Sequence, residues 1–135
     1  MAKVWKCTLD DADRIMSIAS RVNDRFHAEP LDVDKIEYNI CHLIEHAVSF
    51  CSEGGFISGL VHDDLFRDCT YLTSVVWYCE DRQGLRLLNN FIRAGEELGV
   101  DDVRVCTTLL SGTVANKLLI KKGFVAHDTV YSTKI

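Results

Sequence analysis

The most constraining stretch of this chain is Cys69-Thr70-Tyr71-Leu72-Thr73-Ser74-Val75-Val76-Trp77-Tyr78-Cys79. It is dense in β-branched and aromatic residues, the composition of a central strand. After Glu80-Asp81-Arg82-Gln83 the period changes. From about Gly84, residues Leu85, Leu88, Phe91, Ile92 and Gly95 recur at helical spacing as far as Leu98, and Gly99 supplies the stop. The strand-like run Val103-Arg104-Val105-Cys106-Thr107 then follows. A strand that feeds a helix through a short turn reaches its next strand by a crossover rather than a hairpin. The fold class is therefore α/β.

The flanking sequence extends this pattern. Lys3-Val4-Trp5-Lys6-Cys7 alternates as a strand, and Thr8-Leu9-Asp10-Asp11 reads as a helix start with acids at the positive end of the dipole. Ala12, Ile15, Met16, Ala19 and Val22 form one apolar face. Pro30 and Asp32 precede a second helix with Val33, Ile36, Ile40, Leu43, Ile44 and Ala47 on its inner side. Ala47 to Cys51 and Phe56 to His62 read as strands joined by Ser52-Glu53-Gly54-Gly55, and Asp63-Asp64 to Asp68 reads as a turn. A late helix from Thr113 to Lys122 exits at Gly123, and Phe124 to Lys134 reads as a closing strand. The expected order is β-α-α-β-β-β-α-β-α-β, with the central three strands as an antiparallel meander.

Composition narrows the function classes. A chain of 135 residues fits one core, so residues 1–135 are expected to form a single domain. Hydrophobic residues at 47% and charged residues at 26% give a globular balance. The net charge of -5, with Lys and Arg scattered, argues against a nucleic-acid footprint. No apolar run approaches the ~20 residues that cross a bilayer, and no signal-peptide pattern opens the sequence. The expected setting is cytoplasmic. Cys7, Cys41, Cys51, Cys69, Cys79 and Cys106 form no Cys-x-x-Cys pair and fall largely in regular segments, which predicts free thiols.

Two segments carry a resemblance to a known family. Val75-Val76-Trp77-Tyr78-Cys79-Glu80-Asp81-Arg82-Gln83-Gly84-Leu85-Arg86-Leu87-Leu88 resembles the strand, loop and helix at which the GCN5-related N-acetyltransferase (GNAT) superfamily docks acyl-coenzyme A. Ala115-Asn116-Lys117-Leu118-Leu119-Ile120-Lys121-Lys122-Gly123-Phe124 is similar to that family's late helix ending in Gly-Phe. The resemblance implies a GNAT-like mixed central sheet flanked by helices, with acetyl-coenzyme A as co-substrate. The loop departs from the family's Arg/Gln-x-x-Gly-x-Gly/Ala pattern, keeping only Glu80-x-Arg82 and one glycine. Leu119 stands where many members have a tyrosine, and Gly112 where an asparagine is common.

The physical logic of the loop stands beside the resemblance. A pyrophosphate needs hydrogen-bond donors and positive potential, and a turn running into a helix start supplies both. Gly84 admits close backbone approach, while Arg82 and Arg86 offer charge-assisted bonds. The candidate binding residues are Trp77, Tyr78, Cys79, Arg82, Gln83, Gly84, Leu85, Arg86 and Asn116. Transfer to an amine needs a base, for which His62, Asp63 and Glu80 are candidates. It also needs a thiolate acid, for which Tyr78, Tyr131 and water remain open. Cys79 is expected to be a packed thiol rather than a nucleophile. His42 and His46 share a helical face, but no third metal ligand is evident, and no metal is expected.

These readings give an acyl-coenzyme A-dependent N-acyltransferase, transferring acetyl to a small amine or a protein lysine by direct attack. The alternative is a non-catalytic binding or structural protein on the same fold, of bacteriophage type. No membrane partner is expected, and a homodimer stays open.

Overall fold

The computed structural model describes residues 3–26, 29–107, 112–128 and 130–135. The chain runs from β1 (Trp5–Lys6) through a 3-10 turn at Leu9–Asp11 into α1 (Ala12–Phe26) and α2 (Val33–His46). It continues through β2 (Val48–Ser52), β3 (Gly55–Asp63) and β4 (Thr70–Cys79) into α3 (Gly84–Leu98), β5 (Asp102–Arg104) and α4 (Gly112–Lys121). The five strands lie in the order β1-β2-β3-β4-β5. The first four are antiparallel to their neighbours, and β5, reached through the α3 crossover, is parallel to β4.

Helices cover both faces of the sheet. On one face Ala12 and Ile15 of α1 and Ile40 and Ile44 of α2 pack with Cys7, Cys51 and Phe56. On the other, Leu87 and Phe91 of α3 pack with Ile57 and Leu72, with Trp77 and Val103 alongside. The helical faces predicted from sequence need small rotations. Ile18 is fully buried in α1, and Leu87 rather than Leu85 is the inward residue of the first turn of α3. Close contact fixes where α3 sits. A Cβ on Gly59 would lie 2.4 Å from both the Phe91 ring and the Thr73 carbonyl oxygen, so only glycine lets the helix approach β3 this closely.

Helix ends follow the expected chemistry. Gly99 ends α3 in the left-handed region with φ 75°, and Gly123 does the same after α4 with φ 92°. There the Phe124 N–H returns to the Leu119 carbonyl at 3.0 Å. The expected closing strand is a correction: residues 124–128 and 130–135 carry no strand, and Val125, Val130 and Tyr131 stand 74–91% exposed. All six cysteines carry free thiols. Among the described residues, no helix is long and apolar enough to cross a membrane.

Candidate functional site

The site begins with an irregularity in β4. Ser58 faces Val76 and Gly59 faces Ser74, so Val75 is an extra residue between two ladder positions, a β-bulge. A bulge bends its strand, and β4 leaves β5 at this point. The two pair through Tyr71, Leu72 and Thr73. At the next residue the Ser74 hydroxyl accepts the Cys106 N–H at 2.9 Å, pinning the point of divergence. Beyond it, Val76 to Cys79 keep their ladder with β3 on one side, and β5 contributes no rung on the other.

The turn between β4 and α3 is held by Asp81. One carboxylate oxygen accepts the Cys79 thiol at 2.9 Å and the Gln83 N–H at 3.3 Å. The other accepts the Gly54 N–H at 2.9 Å, from the turn between β2 and β3. The Glu80 N–H donates back to the Gly54 carbonyl at 2.7 Å, so the two turns are tied reciprocally. Burial pushes the Asp81 carboxyl up, but these hydrogen bonds outweigh it and hold it below the ordinary carboxylate range. Burial and the Asp81 contact push the Cys79 thiol upward, which argues against a nucleophilic thiolate. Arg82 takes the left-handed region with φ 63° and projects outward. Leu87 makes the bond back to Gln83 at 2.9 Å, so the N–H groups of Gly84, Leu85 and Arg86 precede it in the open first turn. Gln83 buries its Oε1 without a hydrogen-bond partner.

The other candidates are spread out. Glu80 is gripped by α1: Arg21 donates to it from Nε and Nη2 at 3.1 Å each, and Arg25 stands at 3.9 Å. Tyr78 turns to the α1 face, packs on Phe56 and donates its hydroxyl to the Ile15 carbonyl at 3.1 Å. Burial pushes its pKa far upward, so its proton is committed to the core. Trp77 packs on the α3 face. Leu85 and Arg86 lie exposed on the first turn of α3. Asn116 on α4 accepts the Thr107 hydroxyl at 2.7 Å.

The structure does not bring His62 and Asp63 to the loop. They pair with Tyr71 and Thr70 at the start of β4, whereas Gly55 pairs with Cys79 at its end. At ~3.4 Å per residue the two ends lie roughly 25 Å apart. His62 instead contacts the Thr73 hydroxyl at 2.6 Å, and Asp63 accepts from Thr70 at 3.1 Å. Tyr131 is 89% exposed and in no regular element. His42 stacks between Tyr38 and His46 on the outside of α2, and among the described residues no cluster of three metal-ligating side chains occurs.

Sequence reading missed Ser74, Val75 and Gly54. The first two leave no local trace, because the apolar run Val75-Val76-Trp77-Tyr78 has no alternation that a bulge could interrupt. Gly54 leaves none either, since its partner lies far along the chain.

Comparison with known proteins gives the same architecture. No family model matches the sequence, and a search of curated proteins found no match. Solved structures do match. A probable acetyltransferase superposes with a TM-score of 0.78 at 15% identity, covering 99% of this chain and 98% of the other. A ribosomal-protein-alanine N-acetyltransferase from Brucella melitensis biovar Abortus 2308 gives 0.71 at 12% identity, covering 99% and 100%. This is an acetyltransferase fold. An aminoglycoside N-acetyltransferase in complex with CoA gives 0.69 at 14% identity, covering 98% and 93%. The five-stranded sheet flanked by helices is thus of GNAT type, and at these identities the likeness is one of fold.

Proposed function

We propose that this chain is an acyl-coenzyme A-dependent N-acyltransferase acting on an amine. The observation that carries the reading is the opening of β4 from β5 at Ser74, one short strand segment ahead of the turn into α3. It leaves a strand edge and a helix start in line. The residues present fit the co-substrate in two respects. Val76 to Cys79 offer backbone groups to the amides of a pantetheine arm, in the manner of an added strand. The first-turn N–H groups of Gly84, Leu85 and Arg86, with the Arg82 and Arg86 guanidiniums, offer donors to a pyrophosphate. Gly84 adds a third point. A Cβ there would meet nothing closer than the Cys79 Cβ at 3.7 Å, so the fold itself does not demand glycine.

The co-substrate supplies the activated thioester. Along Val76 to Cys79 alternate N–H groups bond β3, and those facing the open edge are the donors at hand to polarise a carbonyl lying there. Glu80 serves to hold α1 against the loop, and Tyr78 to anchor β4 on α1. The acceptor is an amine, small or a lysine side chain, and the working compartment is the cytoplasm. One observation favours a second reading, a non-catalytic protein on the same fold: the carboxylate of Asp81 lies inside the turn that would receive a pyrophosphate. Calorimetry with acetyl-coenzyme A, followed by thiol-release assays over a panel of amines, separates them. Binding with turnover supports the enzyme. Binding without turnover on any amine supports the second reading, and no binding at millimolar ligand overturns the first.

A further inference from the structure

Resting on that reading of the turn as the anion-receiving end of the site, we propose that Asp81 is a built-in competitor for the anion. Its carboxylate closes the turn in the unliganded protein and leaves it when a pyrophosphate enters.

The contacts divide Asp81 between two segments. Its Oδ1 accepts the N–H of Gln83 at the entry to α3, and its Oδ2 accepts the N–H of Gly54 on the turn between β2 and β3. A carboxylate and a phosphate oxygen are both anionic acceptors of similar size, and they ask for the same donors. A phosphate taking the Gln83 N–H would bring its charge within a few ångströms of the Asp81 oxygens, where like charges repel strongly in a partly buried turn. Both cannot be held at once. The Cys79 thiol donates to the same Oδ1 at 2.9 Å, and its sulfur shares the Gln83 N–H at 3.2 Å, so withdrawing the carboxylate takes away the thiol's acceptor and leaves the Gln83 N–H to the sulfur and the incoming anion. Gly54 gives Asp81 a tight seat: a Cβ there would lie 2.9 Å from the Asp81 Cβ. The latch is therefore made between two turns far apart in sequence, which a simple local cap of α3 does not require. Arg82, next along and directed outward, is placed to draw an anion in as Asp81 leaves.

The test is calorimetric titration of coenzyme A and of pantetheine, which has no pyrophosphate, into wild type, Asp81→Asn and Asp81→Ala. The expected result is about tenfold tighter coenzyme A binding by both variants, with pantetheine unchanged. Coenzyme A binding that is equal or weaker in the variants, while wild type binds it, overturns the competitor role and leaves the N-acyltransferase reading standing. Failure of all three proteins to bind coenzyme A overturns both. Should the variants lose native circular dichroism, amide NMR of wild type decides. Coenzyme A should move the Gly54 amide resonance, because that amide loses its acceptor. A Gly54 resonance that stays fixed while those of Gly84 and Leu85 move means that Asp81 has not left, and the proposal falls.

Discussion

Arg21 holds Glu80 through two donors, Nε and Nη2, both 3.1 Å from one carboxylate oxygen, and so ties the second half of α1 to the residue that follows β4. A carboxylate gripped in this way is an anchor rather than a free base. Arg21 is 55% exposed, so the pair adds little stability, about 0.2–1 kcal/mol after solvent screening. Arg21→Ala should shift the thermal midpoint by only ~1–4 °C. If the amine panel yields a substrate, Glu80→Gln should keep turnover within about tenfold and keep the ascending limb of the pH profile. A loss of ~100-fold or more with that limb gone is what removal of a general base produces, and it would return Glu80 to that role.

Much of the fold was legible because its signals are local. The β-rich run through Cys79, the helical period after Gly84 and the glycine exits at Gly99 and Gly123 each follow from neighbours in sequence, and the structure shows all of them. What failed depended on partners. Phe124 to Lys134 has strand composition, but strand propensity expresses fit to a pleated, half-buried surface, and Val130 and Tyr131 have no such surface. His62 and Asp63 are candidate bases only if the end of their strand lies beside the binding loop. Yet a hairpin through Asp64 to Cys69 necessarily sets that end beside the start of β4, so the antiparallel expectation already contained the answer. The Asp81 to Gly54 contact was out of reach, since no local pattern links residues on separate turns.

Gly59 is predicted to be the least tolerant glycine facing α3. A methyl group there meets the Phe91 ring and the Thr73 carbonyl at 2.4 Å, and the carbonyl belongs to a central strand that cannot yield easily. Gly59→Ala should cost about 1–3 kcal/mol, as overpacking does, and lower the melting midpoint by roughly 3–10 °C. Thermal circular dichroism checks it. An unchanged midpoint would mean that α3 and β4 shift to admit the methyl at no cost.

Asp11 gives the chain an acid-sensitive joint. It is 7% exposed and accepts from the Thr8 N–H at 2.9 Å, Arg14 at 3.0 Å and the Trp5 indole at 3.3 Å. Burial pushes its pKa up, but the bonds from Thr8, Arg14 and Trp5 prevail and hold it below the ordinary value. The folded state therefore keeps Asp11 ionised at pH values where the unfolded chain is taking up a proton. Its contribution is present in full above about pH 4 and is lost as pH falls through the lowered folded value. Asp81, shifted the same way, adds to the trend. Urea melts should show Asp11→Asn about 1.5–3 kcal/mol less stable than wild type at pH 7, with the gap narrowing by pH 3. A gap that is constant across this range would mean that the ionised form is not what the network stabilises.

Stability and binding should separate at Gly84 and Arg82. The space beside Gly84 accepts a methyl in ordinary contact with Cys79, so Gly84→Ala should hold the melting free energy within about 1 kcal/mol of wild type. Arg82 stands at φ 63°, a conformation that costs a residue with a Cβ about 1–2 kcal/mol. Arg82→Gly relieves that strain while loosening the unfolded chain, and the two effects nearly cancel. Neither variant should harm the fold, yet both should weaken coenzyme A. The alanine methyl keeps a pyrophosphate off the first turn of α3, and loss of the guanidinium removes a charge-assisted contact of roughly 1.5–3 kcal/mol, about ten- to a hundredfold in affinity. Pantetheine binding should be unaffected, because it reaches only the edge of β4. Paired melts and titrations on the same preparations provide the check. Variants that fold normally and bind coenzyme A as wild type does would show that the turn into α3 plays no part in holding it.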